Sequence, residues 1–232
     1  MRPACELSFP MTITLVVLDL AGTTVRDDGV VERAFVRAVE GSALPGTLDD
    51  ALRHVRDTMG QSKIDVFGSL YGDEAAAVAA NERFEEAVAE ELRGGGLGPL
   101  PGAEEALARL RGDGRRVCLT TGFSARTRDD LLEVRGWRDR VDLVPVPDED
   151  LRGRPFPDLV LAAVLRLRVD AVADVAVAGD TAIDLLSGSR AGAGVVAGVL
   201  TGAHDRATLS AAPHTHILES VRDLPDVVQD VP

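Results

Sequence analysis

The chain is poor in cysteine, in blocks of basic residues and in long apolar runs. It has two cysteines in 232 residues, Cys5 in an N-terminal tail and Cys118 in an apolar, strand-like run. No disulfide framework is indicated, and a reducing, cytoplasmic setting is expected. Net charge is −13 and no Lys/Arg block occurs. Nucleic acid and anionic membrane surfaces are therefore not expected as partners, since both are held by basic patches. No apolar run is long enough to span a bilayer. The short run behind Arg2 is preceded by Glu6 and ended by Asp19, which argues against a signal peptide. Residues 1–10 read as a loose tail, and Met11 offers a second start. Internal repeats and low-complexity tracts are absent as well. What remains is a globular composition, 45% apolar, in a chain long enough for a core plus a smaller insert. With so acidic a balance, an anionic substrate must be met by a few placed cations.

The rest of the chain is organised around Ile13 to Thr24. Residues 13 to 18 are short, apolar and rich in β-branched side chains, and a Gly turn follows, so they read as a central parallel strand. Asp19 falls at its carboxyl end, where open α/β sheets place ligands. Gly22 allows a tight turn. The loop amides and the Thr23 and Thr24 hydroxyls are expected to hold an anion. Taken alone, the acid reads equally as a nucleophile, a metal ligand or a turn former.

A turn cluster, Arg26 to Gly29, comes next. Val31, Ala34, Phe35 and Ala38 then mark one face of a helix. Shorter helices are expected over 48–58 and 62–70, with Met59-Gly-Gln-Ser-Lys63 leading into the second. A long helix runs from Glu74 to Leu92, and Gly94 to Pro99 reads as a flexible connection. From residue 100 helices and strands alternate. Helices are expected around Ala103 to Leu110 and over 125–135, 158–168 and 182–191. Strands are expected at Arg116–Thr121, Val141–Pro145, Val175–Ala178 and Val195–Leu200. Alternation of this kind builds a parallel sheet with crossover helices. The fold class is therefore α/β, a Rossmann-like parallel-sheet core (11–26 and 99–232) with an all-helical insert over 27–98.

Four strand ends carry polar groups: Asp19; Thr120-Thr121-Gly122; Arg152-Gly-Arg154-Pro155; and Gly179-Asp180-Thr-Ala-Ile-Asp184. Each has an ordinary reading as a turn, a surface charge or a helix cap. The carboxyl ends of parallel strands converge on one edge, so together they make a site. Asp19, Asp180 and Asp184 offer the carboxylate set that Mg²⁺ prefers. Arg154 and Thr121 can hold phosphoryl oxygens. Asp19 is left as an in-line nucleophile forming an aspartyl-phosphate.

In this order and spacing the set resembles the haloacid dehalogenase (HAD) superfamily, over about residues 12 to 232. The helical insert is similar to the cap those enzymes carry. The resemblance implies Mg²⁺ held by Asp19, Asp180, Asp184 and the Ala21 carbonyl. Ala21 itself stands where most phosphatases of the superfamily have a second Asp as general acid and base. Asp19-Leu-Ala21-Gly22-Thr23-Thr24, Met59 to Asp65 and Gly153 to Pro157 resemble the phosphonoacetaldehyde hydrolase (phosphonatase) branch, which implies a Schiff-base role for Lys63. An iminium would serve as electron sink, so no acid is needed at position 21. Ala21, Gly22, Thr23 and Gly122 are then expected around the phosphoryl group.

Three positions depart from that branch: Val66 in place of a His, Phe123 in place of a Tyr, and Val30 in place of a Cys. The expected activity is Mg²⁺-dependent C–P cleavage of phosphonoacetaldehyde or a close small phosphonate. Phosphomonoester hydrolysis and non-catalytic phosphate sensing stay open as alternatives. A homodimer through the first cap helix, with Phe35 and several valines, is a further expectation. Gly192 to Gly198 imitates a dinucleotide fingerprint but precedes a strand, and so reads as a helix stop and strand entry. His214 and His216 lack a third ligand for zinc. His54 reads as a surface residue of the cap. His204 lies on a loop at the active edge.

Overall fold

The computed structural model describes residues 12–229. The expected tail, Cys5 and the second start at Met11 lie outside the described residues.

The core strands are β1 (Leu15–Asp19), β2 (Arg116–Thr120), β3 (Val175–Gly179), β4 (Val195–Val199) and β5 (His216–Leu218). They form one parallel sheet in the order β2-β1-β3-β4-β5. β1 is central and buried along its whole length. Its alternate side chains face two separate cores. Val16 and Leu18 join Leu107, Leu110 and Trp137 on one face, and Leu15 and Val17 join Val160, Ala163 and Val164 on the other. Both faces are therefore covered, as an all-parallel sheet requires.

The expected strand over Val141–Pro145 is reduced to one bridge, Cys118 to Leu143. The Asp142 carboxylate takes the Val117 amide at 2.7 Å, where a ladder carbonyl would sit. Pro145 and Pro147 then supply no N–H to continue the pairing.

Between β1 and β2 lie α1 (Val30–Val39), α2 (Leu48–Asp57), α3 (Lys63–Tyr71), α4 (Glu74–Arg93) and α5 (Ala103–Gly112), of which the first four form the inserted helical cap. Local signals set their limits. A reciprocal Thr47–Asp50 capping box opens α2, and the Asp73 side chain caps α4. Three phenylalanines fill the cap interior. Phe35 stacks on Phe67 with centroids 5.4 Å apart, and Phe84 meets Phe67 edge-on at 6.0 Å. Phe35 and the apolar face of α1 are thus packed inside the cap rather than presented to a second copy. The two connections to the core run side by side: Arg26 N donates to Gly98 O at 2.7 Å, and Leu100 N to Thr24 O at 2.9 Å.

The remaining helices are α6 (Ala125–Arg135), α7 (Asp158–Arg166), α8 (Ala182–Ala191), α9 (Arg206–Ser210) and α10 (Leu224–Gln229). Gly192, at φ 88°, ends α8 just before β4, which fits a helix stop rather than a dinucleotide loop. No described helix is long and apolar enough to cross a membrane.

Candidate active site

The ladder register fixes which polar residues meet. Asp19 pairs with Thr120, and Gly179 lies one step from the end of its ladder with β1. The strand exits therefore bring Asp19, Thr121 and Asp180 to one edge. Oxygens of Asp19, Asp180 and Asp184 all lie within 4.8 Å of one another, and all three residues are buried.

Each acid is held by a different device. Asp180 accepts from the Ala203 amide at 2.7 Å and from the Thr23 hydroxyl at 3.2 Å. Gly22 and Gly202 make room for it, because a Cβ on either would lie 2.4 or 2.0 Å from Asp180 Oδ2. Asp184 is the third residue of α8 and closes a capping box with Thr181, whose amide donates at 3.1 Å. The Arg154 guanidinium donates to both Asp19 and Asp184.

Burial pushes the Asp19 carboxyl up to about 6; Arg154 opposes this and Asp184 adds to it. Asp180 is pushed well above the usual carboxylate range by burial and by repulsion from Asp19 and Asp184. Burial alone would lower the Arg154 pKa, but Asp184 and Asp19 more than offset it, so the residue stays cationic. Asp19 and Asp180, raised in this way, would be favoured as carboxylates by a further cation beside Arg154. The donor set is all oxygen, which fits a hard divalent ion such as Mg²⁺.

The loop after β1 departs from the expected anion nest. The Thr23 hydroxyl is used on Asp180, and the Thr24 hydroxyl donates to the Asp19 and Leu20 carbonyls. The Gly22, Thr23 and Thr24 amides close onto Val25 and Leu20 carbonyls. These threonines shape the turn and anchor a carboxylate instead of facing a ligand. Thr121 does face the site. It is buried and its oxygen accepts from Phe123 N at 3.1 Å, so its proton is free to donate.

The cap reaches this edge through residues 59–63. Lys63 N donates to Gly122 O at 3.1 Å. A Cβ at Gly122 would lie 2.2 Å from Gln61 O, and one at Gly60 3.0 Å from Thr181 Oγ1. Phe123 extends the aromatic row of the cap, 6.3 Å from Phe84. That packing role explains a ring without a hydroxyl at position 123. Lys63 is 6% exposed and lines a cavity of about 30 Å³ with Asp19, Ala21, Thr121, Gly122 and Arg154. It is the only lysine of the chain; every other basic residue besides histidine is arginine. Burial, then Arg154, lowers its amine to about 8, against attraction from Asp27 and Asp19.

A second cavity of about 320 Å³ shares Ala21, Val31, Met59 and Asp180 with the first and is lined also by Asp27. Sequence reasoning missed Asp27, which sits inside a turn cluster that any solvated loop can show. It also missed Thr181, though its spacing to Asp184 is a readable capping box. Of the histidines, His204 accepts from the Ala182 amide at 2.9 Å and so caps α8. His54 pairs with Ser69 at 2.9 Å. His214 and His216 are exposed and bond only to local groups. Val66 is buried in the cap core.

A profile of the haloacid dehalogenase-like hydrolase family matches residues 13–192, and the chain belongs to that family. It is a hydrolase with both phosphatase and phosphonatase relatives. The probable phosphatase IndB of Dickeya dadantii is 30% identical over 214 residues, covering 90% of this chain and 91% of the relative. The phosphonoacetaldehyde hydrolase of Pseudomonas fluorescens is 28% identical over 261 aligned residues, covering 96% and 94%. That aligned length exceeds the 232 residues present here, so the relative carries segments this chain lacks. A hydrolase from Pseudomonas syringae superposes with a TM-score of 0.81 at 23% identity, covering 94% of this chain and 99% of its own.

Proposed function

We propose that this hydrolase breaks the C–P bond of a small phosphonate aldehyde, phosphonoacetaldehyde or a close analogue, with Asp19 as nucleophile and Lys63 as imine-forming amine. One observation carries the reading. The only lysine in the chain is buried beside Asp19, and the position two residues after Asp19 is an alanine. Arginine cannot lose its proton in a protein, whereas a buried lysine amine can become a nucleophile.

The residues then divide the work. Arg154 and Thr121 hold the phosphonate oxygens, with the Gly122 loop behind them. A Mg²⁺ held by Asp19, Asp180, Asp184 and the Ala21 carbonyl would offset phosphoryl charge when bound. The Lys63 amine condenses with the aldehyde, and water leaves. Asp19 attacks phosphorus in line. The C–P electron pair moves into the iminium, giving an enamine and an aspartyl-phosphate. No oxygen departs from carbon in that step, so nothing is required of residue 21. Water cleaves the acyl phosphate; the enamine gains a proton on carbon and is hydrolysed, which frees Lys63. The cap, residues 27–98, would open and close on the paired connections at residues 26–29 and 93–100.

Phosphomonoester hydrolysis is the second reading. The likeness to the probable phosphatase IndB, 30% identical over 214 residues, supports it. Lys63→Ala separates the two. Phosphate release from phosphonoacetaldehyde should vanish, while release from small phosphomonoesters is only weakened. Equal losses on both substrates would remove the case for C–P cleavage.

A further inference from the structure

Imine formation moves protons as well as electrons, and the usual carriers are missing from this site. Ala21 has no acid, and Val66 is an apolar residue of the cap core. Among the described residues lining the two adjoining cavities, which share Ala21, Val31, Met59 and Asp180, the acids are Asp19 and Asp180 of the carboxylate cluster, Asp27 and Asp28. Asp28 is exposed and lies 3.7 Å from Arg26. Asp27 is half-buried at the cavity wall, on the connection that enters the cap. Its Oδ1 accepts from the Val31 amide at 2.9 Å, which fixes the carboxyl plane at the start of α1. No other hydrogen bond to this carboxylate is made among the described residues.

From this placement we infer that Asp27 is a catalytic proton carrier between the Lys63 amine and the carbonyl oxygen of the substrate. The inference rests on the Schiff-base reading above. Asp27 first takes a proton from the Lys63 ammonium. The neutral amine attacks the carbonyl carbon, a C–N bond forms, and the C=O π pair moves to oxygen. Asp27 returns its proton to that oxygen and takes a second one from nitrogen. It passes this proton to the hydroxyl, the C–O bond breaks, and water leaves. The iminium keeps the third ammonium hydrogen. Both protons lost from nitrogen end in the water, and Asp27 finishes as the carboxylate it began as. The groups facing Asp27 suit a proton carrier. Burial raises its pKa and outweighs Lys63 from α3 and Arg33 from α1, which favour its charge, while Asp28 opposes that charge. Asp27 and Asp19 both attract the Lys63 ammonium.

The test is the rate at which Lys63 is trapped by borohydride with phosphonoacetaldehyde, read by peptide mass spectrometry, in wild type, Asp27→Asn and Asp27→Glu. The Asn carbonyl can still accept from Val31, so α1 keeps its start; thermal melting checks this. General acid–base catalysis of this kind contributes roughly 10²- to 10⁴-fold. The adduct should form at least about 100-fold more slowly in Asp27→Asn and within about tenfold of wild type in Asp27→Glu, which keeps a carboxyl. Equal rates in wild type and Asp27→Asn would overturn the role of Asp27 and leave the imine intact. No adduct in folded wild-type enzyme would overturn the Schiff-base reading itself, and the proton carrier with it.

Discussion

Core and cap contribute to the site by opposite means. On the core side each acid has several supports: Asp180 has a hydroxyl, an amide and two glycines shaped around it, and Asp184 has a capping box. On the cap side Lys63 arrives on a segment seated against glycines. A charged cluster needs fixed dipoles and a rigid sheet to stay assembled. A reactive amine needs burial and a surface that lets it arrive and leave. On the proposed function, phosphoryl chemistry belongs to the core and substrate choice to the cap.

If that division holds, damage to the core should remove every activity. Asp19→Asn should lower phosphate release from phosphonate and phosphomonoester alike by roughly 10³-fold or more, because a neutral amide replaces the carboxylate nucleophile. A variant that kept either activity would break the division.

Gly122→Ala should act first on the seat of the cap, at the wall of the small cavity that Gly122 also lines. The added Cβ would fall 2.2 Å from Gln61 O, and backbone must move to relieve it. A displacement near 1 Å at a site costs up to about 100-fold. Steady-state kinetics should show that loss, with thermal unfolding little changed.

A smaller effect concerns pH. Burial lowers the Lys63 amine from 10.5 to about 8. Its neutral, reactive form therefore appears at lower pH than in an ordinary lysine. Competitive labelling of the single lysine with an amine reagent should rise through about pH 8 and flatten above it. A rise that continues toward 10.5 would place the amine in solvent and weaken the contrast between cap and core.

The smallest effect belongs to the outer cap. Arg33 pairs with Glu91 at 2.8 Å with half its side chain exposed. Arg33→Ala should cost less than about 1 kcal/mol by denaturant unfolding, since exposed ion pairs contribute little.

Local patterns in the chain made much of this architecture legible. β1, the cap helices and the alternation after residue 100 follow from spacing and turn residues. Asp19, Thr121, Asp180 and Asp184 converge because parallel strands end on one edge, and Arg154 reaches them from the loop before α7. What stayed hidden depends on partners distant in sequence. Val141–Pro145 has a strand's composition, but the Asp142 side chain displaces the ladder. Thr23 looks like an anion-binding hydroxyl until Asp180 comes within 3.2 Å of it. Phe35 looks free for a partner until Phe67 covers it. Asp27 reads as one acid of a turn, and only the tertiary fold sets it on a cavity that adjoins the one lined by Lys63.

The measurement that tests the central claim most directly is borohydride reduction of the Mg²⁺-loaded protein with phosphonoacetaldehyde, followed by peptide mass spectrometry. With one lysine in the chain, the site of reaction is unambiguous apart from the α-amine. The account predicts a reduced adduct on the peptide containing Lys63, and loss of phosphate release in step with it. Phosphate released from phosphonoacetaldehyde by enzyme that leaves Lys63 unmodified would contradict it.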